Sequence, residues 1–160
     1  MLDEGVQFII VYENKPIWSF NDAFAFLLIH GVLPRPNDVE EPLEQMSDIW
    51  KISQSFPIDD SEWCPYHKPE SMPFSCENNQ VKISGYKHLS GNKEEWLVFI
   101  ANSKTNEIKE CDILGFNDFD VFTDAYNNKI IYFNNGKLTI DFKRFAHYIL
   151  KVVSSDYKEG

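Results

Sequence analysis

The second half of the chain consists of short strand-like segments, and this pattern constrains the fold more than any other sequence feature. The predicted strands lie at 81–88, 95–102, 107–113, 120–124, 129–133, 137–142 and 146–153. Residues 96–101 are apolar on both faces, as expected for the central strand of a sheet. Asn135 and Gly136 separate two of the segments and favour a tight hairpin between them. This succession of strands predicts an antiparallel β-sandwich.

The first half has a different pattern, because its apolar residues follow the period of an α-helix. Two helical stripes are predicted, one formed by Phe24, Leu27 and Leu28 and the other by Leu43, Met46, Ile49 and Trp50. The first helix is predicted to end at Gly31, and the second to begin at Pro42. Residues 6–12 predict a buried strand, and the proline-rich residues 57–79 predict a structured connector.

Together these patterns predict an α+β, mainly β chain. Residues 1–79 form a helical segment with its connector, and residues 80–156 form the antiparallel β-sandwich. In strand 81–88, Val81 and Ile83 alternate with Lys82 and Ser84, which predicts that only one face of this strand is buried.

The charge of the chain limits its partners. Lysine and arginine number 15, and aspartate and glutamate number 25, so the net charge is −10 and the pI is near 4.8. Nucleic acid and anionic membranes are therefore not expected as partners, because phosphate contacts need clustered Lys and Arg. The longest apolar runs, at 8–11 and 24–29, are much shorter than the roughly 20 residues of a membrane span. No signal peptide is visible, which indicates a cytoplasmic chain as written and leaves the location unknown for a piece of a longer protein.

The side chains that often carry chemistry do not form a known catalytic or cofactor motif. The three cysteines predict either one bridge, between Cys64 and Cys76, or reduced buried thiols. Cys64, His67 and Cys76 offer three local ligands, but a structural zinc site normally has four, so no metal is predicted. The sequence also has no glycine-rich phosphate loop, and no cofactor is predicted.

Several segments of the sequence are distinctive. They are AFAFLLIHGVLPRP at 23–36, MSDIW at 46–50, EWCPY at 62–66, LVFIAN at 97–102 and YILKV at 148–152. Together they resemble the C-terminal region of large glycoside-hydrolase-like proteins of poorly characterised activity. In that family a (β/α)8-type barrel ends in a helix leading into LLHGVLPR, and a further helix and a C-terminal β-sandwich follow. The resemblance spans about residues 20–153.

The resemblance implies that this chain is a non-catalytic C-terminal portion of such a protein. A barrel takes at least about 200 residues and builds its active site from the loops after its strands. The family's catalytic residues would therefore lie upstream, and none is assigned here. The expected partner is an upstream barrel or a second copy of the chain, contacted through Phe24, Leu27, Leu28, Met46 and Trp50. Without that partner these residues would leave an apolar patch and cause self-association.

Carbohydrate is the ligand that the resemblance implies. The predicted contacts lie at a helix-to-loop rim and in the connector, at His30, Arg35, Trp63 and Tyr66. An alternative function is a free-standing carbohydrate-binding module, with Tyr126 and Tyr132 as further rings that could stack on sugars. A third hypothesis is a small enzyme that uses Asp60, Glu62 or Cys64.

Overall fold

The computed structural model describes most of the chain from residue 43 onwards and short segments before it. The described residues are 11–12, 15–16, 27–32, 43–104, 106–116, 119, 121–132, 137–142 and 146–154. The predicted strand residues 6–10 lie outside this part, as do Phe24 and Arg35. Residues 27–29 are helical, and helix α1 spans Leu43–Ser55. Two 3-10 turns follow, at Ile58–Asp60 and Pro69–Ser71.

Nearly half of the described residues belong to antiparallel strands. In chain order these are β1 (Val11–Tyr12), β2 (Lys15–Pro16), β3 (Glu62–Cys64), β4 (Ser75–Cys76), β5 (Val81–Ser90), β6 (Lys93–Asn102), β7 (Ile108–Leu114), β8 (Val121–Asp124), β9 (Lys137–Phe142) and β10 (His147–Ser154). A five-stranded sheet has the order β3-β5-β6-β10-β8, and a three-stranded sheet has the order β4-β7-β9. Strands β1 and β2 pair with each other. The connector thus supplies one strand to each of the larger sheets.

The two larger sheets pack against each other through an apolar cluster, which we call the inner core. Its buried members include Phe74, Trp96, Val98, Ile100, Ile113, Phe116, Phe119, Phe122, Phe142 and Leu150. The mainly β, antiparallel and sandwich-like architecture predicted from the sequence is therefore confirmed. The interpretation of residues 1–79 as the end of a barrel stays a prediction, as does the division of the chain at residue 79.

Strand β6 is the central strand of the five-stranded sheet, as its apolar sequence predicts. Because successive side chains of a strand point to opposite faces, Trp96 and Val98 enter the inner core, while Leu97 and Phe99 face the other way. Leu97 and Phe99 belong to a second apolar cluster, the outer core, on the opposite face of the same sheet.

Helix α1 covers this outer face. Its buried side chains are Met46, Ile49, Ile52 and Phe56, the last lying just beyond the helix end. Trp50, the fourth residue of the predicted apolar stripe, does not join the buried side chains and is 38% exposed. Residue 50 is rotated by about 100° from residue 49, whereas the spacing 46, 49, 52, 56 keeps to one side of the helix.

The same packing corrects part of the predicted docking surface. Leu28 and Met46 were expected to contact a partner, but both are buried in the outer core of this chain. Leu27 is half-buried, and Trp50 remains accessible. The upstream partner itself stays a prediction.

The sequence predicts that residues 129–133 and 137–142 pair as a hairpin around Asn135 and Gly136, but the described residues of these segments pair with other strands. Strand β9 pairs with β7, while residues 129–131 turn back along β8. The amide of Asp124 donates to the carbonyl of Lys129, and the amide of Ile131 donates to the carbonyl of Phe122. Residues 133–136 lie outside the described part. A turn sequence favours a local connection, but burial of apolar side chains decides which strands pair.

Candidate functional site

Three of the four predicted carbohydrate contacts come together in the structure, and the fourth, Arg35, lies outside the described residues. The His30 Nε2 atom and the Tyr66 hydroxyl are 3.3 Å apart, and their rings meet edge to face. A Cβ atom on Gly31 would lie 3.1 Å from the ring of Trp63, so the backbone of Gly31 contacts that ring closely. We call this site, formed by His30, Gly31, Trp63, Tyr66 and Ser84, the motif corner.

Ser84 of β5 connects the two segments that meet at the motif corner, one containing Ile29 and the other containing Tyr66. Its hydroxyl donates to the carbonyl of Ile29 at 2.8 Å, and the hydroxyl oxygen of Ser84 accepts from the amide of Tyr66 at 2.9 Å. Ser84 is 0% exposed, although the alternation of β5 predicted an exposed position. Strand β5 is buried on both faces, since Ile83 faces the inner core and Tyr86 the outer core. A single serine between apolar neighbours carries no sequence signal that distinguishes this role from a surface position.

The ring of Trp63 contributes to the outer core. Its centroid lies 4.7 Å from that of Tyr86 and 6.4 Å from that of Phe99. Gly31 has a positive φ of 71°, which agrees with the predicted left-handed end of the first helix and allows the close approach to Trp63. These contacts give Trp63 a packing role, and its contact with carbohydrate stays a prediction.

A second polar pair lies on the outer face of the five-stranded sheet. The Tyr126 hydroxyl and His147 Nε2 are 2.5 Å apart. Burial lowers the pKa of His147 from 6.5 to about 4, because the surrounding protein disfavours the charged ring. At neutral pH the imidazole is therefore uncharged, and the pair is a neutral hydrogen bond.

The cysteines adopt an arrangement that the sequence did not predict. Cys64 is buried in the inner core, and of the two predicted alternatives the bridge between Cys64 and Cys76 is wrong, because the Sγ atom of Cys76 lies 2.6 Å from that of Cys111. All three thiols are free. Cys76 and Cys111 line a surface pocket of about 410 Å³. Burial is the main reason that the pKa of Cys111 is raised to about 12.

The residues of the enzyme hypothesis do not converge on a shared site within the described chain. Asp60 and Glu62 are exposed carboxylates, while Cys64 is fully buried. Burial raises the pKa of the Cys64 thiol, with a smaller contribution from Glu62, and so disfavours the thiolate that a nucleophile requires.

The described residues contain neither a cluster of metal ligands nor a membrane-spanning helix. No group of three or more His, Cys, Asp or Glu side chains among them is placed to hold a metal ion. No helix in the same part of the chain is long and apolar enough to cross a membrane. No known family model matches the sequence, and no curated protein matches it at a significant level.

Proposed function

We propose that the chain is the non-catalytic C-terminal portion of a glycoside-hydrolase-like protein, where it braces a (β/α)8-type barrel and borders its carbohydrate cleft. One observation supports this proposal above the others: the distinctive sequence segments meet on the outer face of the five-stranded sheet. Gly31 of the first segment contacts Trp63 of the third, and Trp63 in turn packs near Phe99 of the fourth. Met46 and Ile49 of the second segment belong to the same cluster.

The chemistry of this cluster fits a bracing role. Hydrolysis of a glycosidic bond uses two carboxylic groups about 5–10 Å apart. The motif corner instead contains aromatic rings, a serine hydroxyl and a histidine, and these groups bond to one another and to the backbone. Distinctive residues that pack together hold a structural unit in shape, and they do not supply an acid and a base.

Trp50 is the residue through which this unit would contact the barrel. It is large and apolar, and its 38% exposure contrasts with the buried Met46, Ile49 and Ile52 of α1. Large aromatic side chains often dominate the energy of an interface, because they bury much area when a partner covers them.

The proposal is tested first in the gene, by sequencing upstream of the codon for Met1. We expect a continuous reading frame that encodes a barrel, and the absence of such a frame would contradict the proposal. The protein encoded by the whole frame is then purified in three forms: wild type, Trp50→Glu and the matched control Tyr132→Glu.

Thermal unfolding of these three proteins measures the coupling between barrel and sandwich. We expect wild type and Tyr132→Glu to unfold in one cooperative transition, and Trp50→Glu to unfold in two, because the charge disrupts the contact. The isolated chain carrying Trp50→Glu should keep its stability within about 0.5 kcal/mol, since the position is exposed. One transition in all three full-length proteins would contradict docking through Trp50.

A free-standing carbohydrate-binding module is the second candidate, and the exposure of Tyr132 favours it. Tyr132 is 85% exposed and lies close in sequence to Ile130, which is 61% exposed, beside the edge strand β8. Such a ring can stack on a sugar. Binding on a glycan array that is lost in Tyr132→Ala and kept in Trp50→Ala would support this function. Absence of binding, or binding that Tyr132→Ala leaves unchanged, would exclude it.

A further inference from the structure

Cys76 and Cys111 lie on neighbouring strands of the three-stranded sheet. Strand β4 pairs antiparallel with β7, and Cys76 stands opposite Ile113, two residues from Cys111. Diagonal neighbours of this kind share a face of the sheet, within reach of each other's side chains. The Sγ atoms are accordingly 2.6 Å apart, so a bond between them needs only a small movement of the side chains.

The pair is accessible from solvent through the pocket of about 410 Å³ that both cysteines line. Cys76 is half-buried, whereas Cys111 is buried. A pocket of this volume admits a small molecule to the Cys76 sulfur. Cys64 differs in both respects, because it is fully buried in the inner core and is not part of the pocket lining.

We propose that Cys76 and Cys111 form a site of reversible oxidation, at which hydrogen peroxide or another small uncharged hydroperoxide converts the two thiols into a disulfide. In the first step the deprotonated Cys76 sulfur attacks a peroxide oxygen, and the O–O bond breaks. Cys76 becomes a sulfenic acid, and the released hydroxide takes up the proton that the thiol lost and leaves as water.

The second step joins the two sulfurs. The Cys111 sulfur attacks the Cys76 sulfur, the S–OH bond breaks, and the hydroxyl leaves as water with the Cys111 proton. In total the two thiols lose two hydrogen atoms, and one hydrogen peroxide is reduced to two waters. Cys76 reacts first, since Cys111 is more buried and its pKa of about 12 keeps it protonated at neutral pH.

The charge around the pocket selects among oxidants. Glu77, Glu110 and Asp112 line the pocket with one cation, Lys137, whose amine is 3.9 Å from a carboxylate oxygen of Asp112. The excess of negative charge repels anionic oxidants such as oxidised glutathione but does not affect uncharged hydrogen peroxide.

The new bond would connect the short edge strand β4 to β7. It would close a loop between two cysteines that are 35 positions apart in sequence. A bond of this kind restricts the unfolded chain, and we expect it to raise the Tm by roughly 10 °C.

The main experiment treats the full chain with hydrogen peroxide and follows its intact mass and its disulfide-linked peptides. We expect a loss of two hydrogen atoms, a linked peptide pair containing Cys76 and Cys111, and full reversal by dithiothreitol. The matched control Cys64→Ala should behave in the same way. A link that contains Cys64, or three free thiols after treatment, would overturn the proposal.

The order of the two steps is tested by trapping the sulfenic acid. We expect Cys111→Ser to accumulate a Cys76 sulfenic acid that dimedone labels, and Cys76→Ser to give no such adduct on Cys111. Labelling of Cys111 in place of Cys76 would overturn the assigned order. Circular dichroism checks that both variants fold, and the peptide map of the wild-type chain decides the proposal if they do not.

The selection by charge has its own test. Raising the ionic strength should increase the rate of oxidation by oxidised glutathione several-fold and leave the rate with hydrogen peroxide unchanged. Equal salt dependence for the two oxidants would show that the acidic side chains do not select between them.

Discussion

The two faces of the five-stranded sheet are both buried, but they are buried in different ways. The inner face presents Trp96, Val98 and Ile100 to a second sheet, and its contacts are overwhelmingly apolar. The outer face combines Leu97 and Phe99 with polar groups, and its cover is α1 and residues 27–32.

The polar groups of the outer face make directional contacts. Ser84 bonds to the backbone of Ile29 and Tyr66, and Tyr126 bonds to His147. Apolar burial stabilises without regard to orientation, whereas hydrogen bonds also determine position. The inner face therefore stabilises the chain by apolar burial, while the outer face also orients the first half of the chain and responds to pH.

The largest expected effect is on the inner face, in the variant Trp96→Ala. Trp96 is 1% exposed, packs edge to face on Phe74, and donates its indole N–H to Glu94 at 2.9 Å. Its truncation leaves a large cavity, so we expect the free energy of unfolding to fall by about 3–5 kcal/mol, measured by urea denaturation. The control Trp50→Ala should change it by about 0.5 kcal/mol or less. An equal loss of unfolding free energy in the two variants would show that Trp96 in the inner core stabilises the chain no more than Trp50 on the helix surface.

The second prediction concerns acid and the outer face. The pKa of His147 is about 4 in the folded chain and 6.5 in the unfolded one, so the unfolded state binds more protons between these values. Stability is therefore lost as the pH falls from about 6.5 to 4, by roughly 3 kcal/mol in total.

This loss is measured by comparing wild type with His147→Gln in urea denaturation at several pH values. The difference in unfolding free energy should shift in favour of the variant as the pH falls, since the variant lacks the buried imidazole. His67→Gln, at an exposed position, should follow wild type. Parallel curves for wild type and His147→Gln would show that the outer face does not respond to pH through this residue.

A smaller effect is expected from Ser84→Ala, which removes the central bond of the motif corner. The carbonyl of Ile29 and the amide of Tyr66 lose their shared partner, so we expect a loss of about 2 kcal/mol. Ser61→Ala removes an exposed hydroxyl bond to Pro57 and should cost about 0.5 kcal/mol or less. Hydrogen exchange at the amide of Tyr66 should also accelerate in Ser84→Ala, and an unchanged rate would show that the bond does not hold this loop.

Much of the strand content could be predicted, because side-chain alternation is a local property. The predicted strand 137–142 has the bounds of β9, and 81–88, 95–102, 107–113, 120–124 and 146–153 differ from the observed strands by no more than two residues at either end. The central position of β6 also follows from its sequence, since a strand that is apolar on both faces must be covered on both.

The candidate site was predicted less well. The sequence predicts His30, Trp63 and Tyr66 as carbohydrate contacts, and they lie close together in the structure, but it does not indicate the role of Ser84. The pairing of Cys76 with Cys111 was missed as well, because it depends on the register of β4 against β7. Register is a relation between distant segments, and no pattern within either segment specifies it.

The sequence by itself determined where helix α1 and strands β5 to β10 form, that the chain builds an apolar core, and that its net charge is negative. These properties follow from residue type and spacing over a few positions. Only the tertiary structure decided that β9 pairs with β7, that Trp50 stays accessible, and that two thiols meet at a pocket. Each of these outcomes depends on which distant surfaces bury one another, and the free energy of that burial is a property of the whole packed chain.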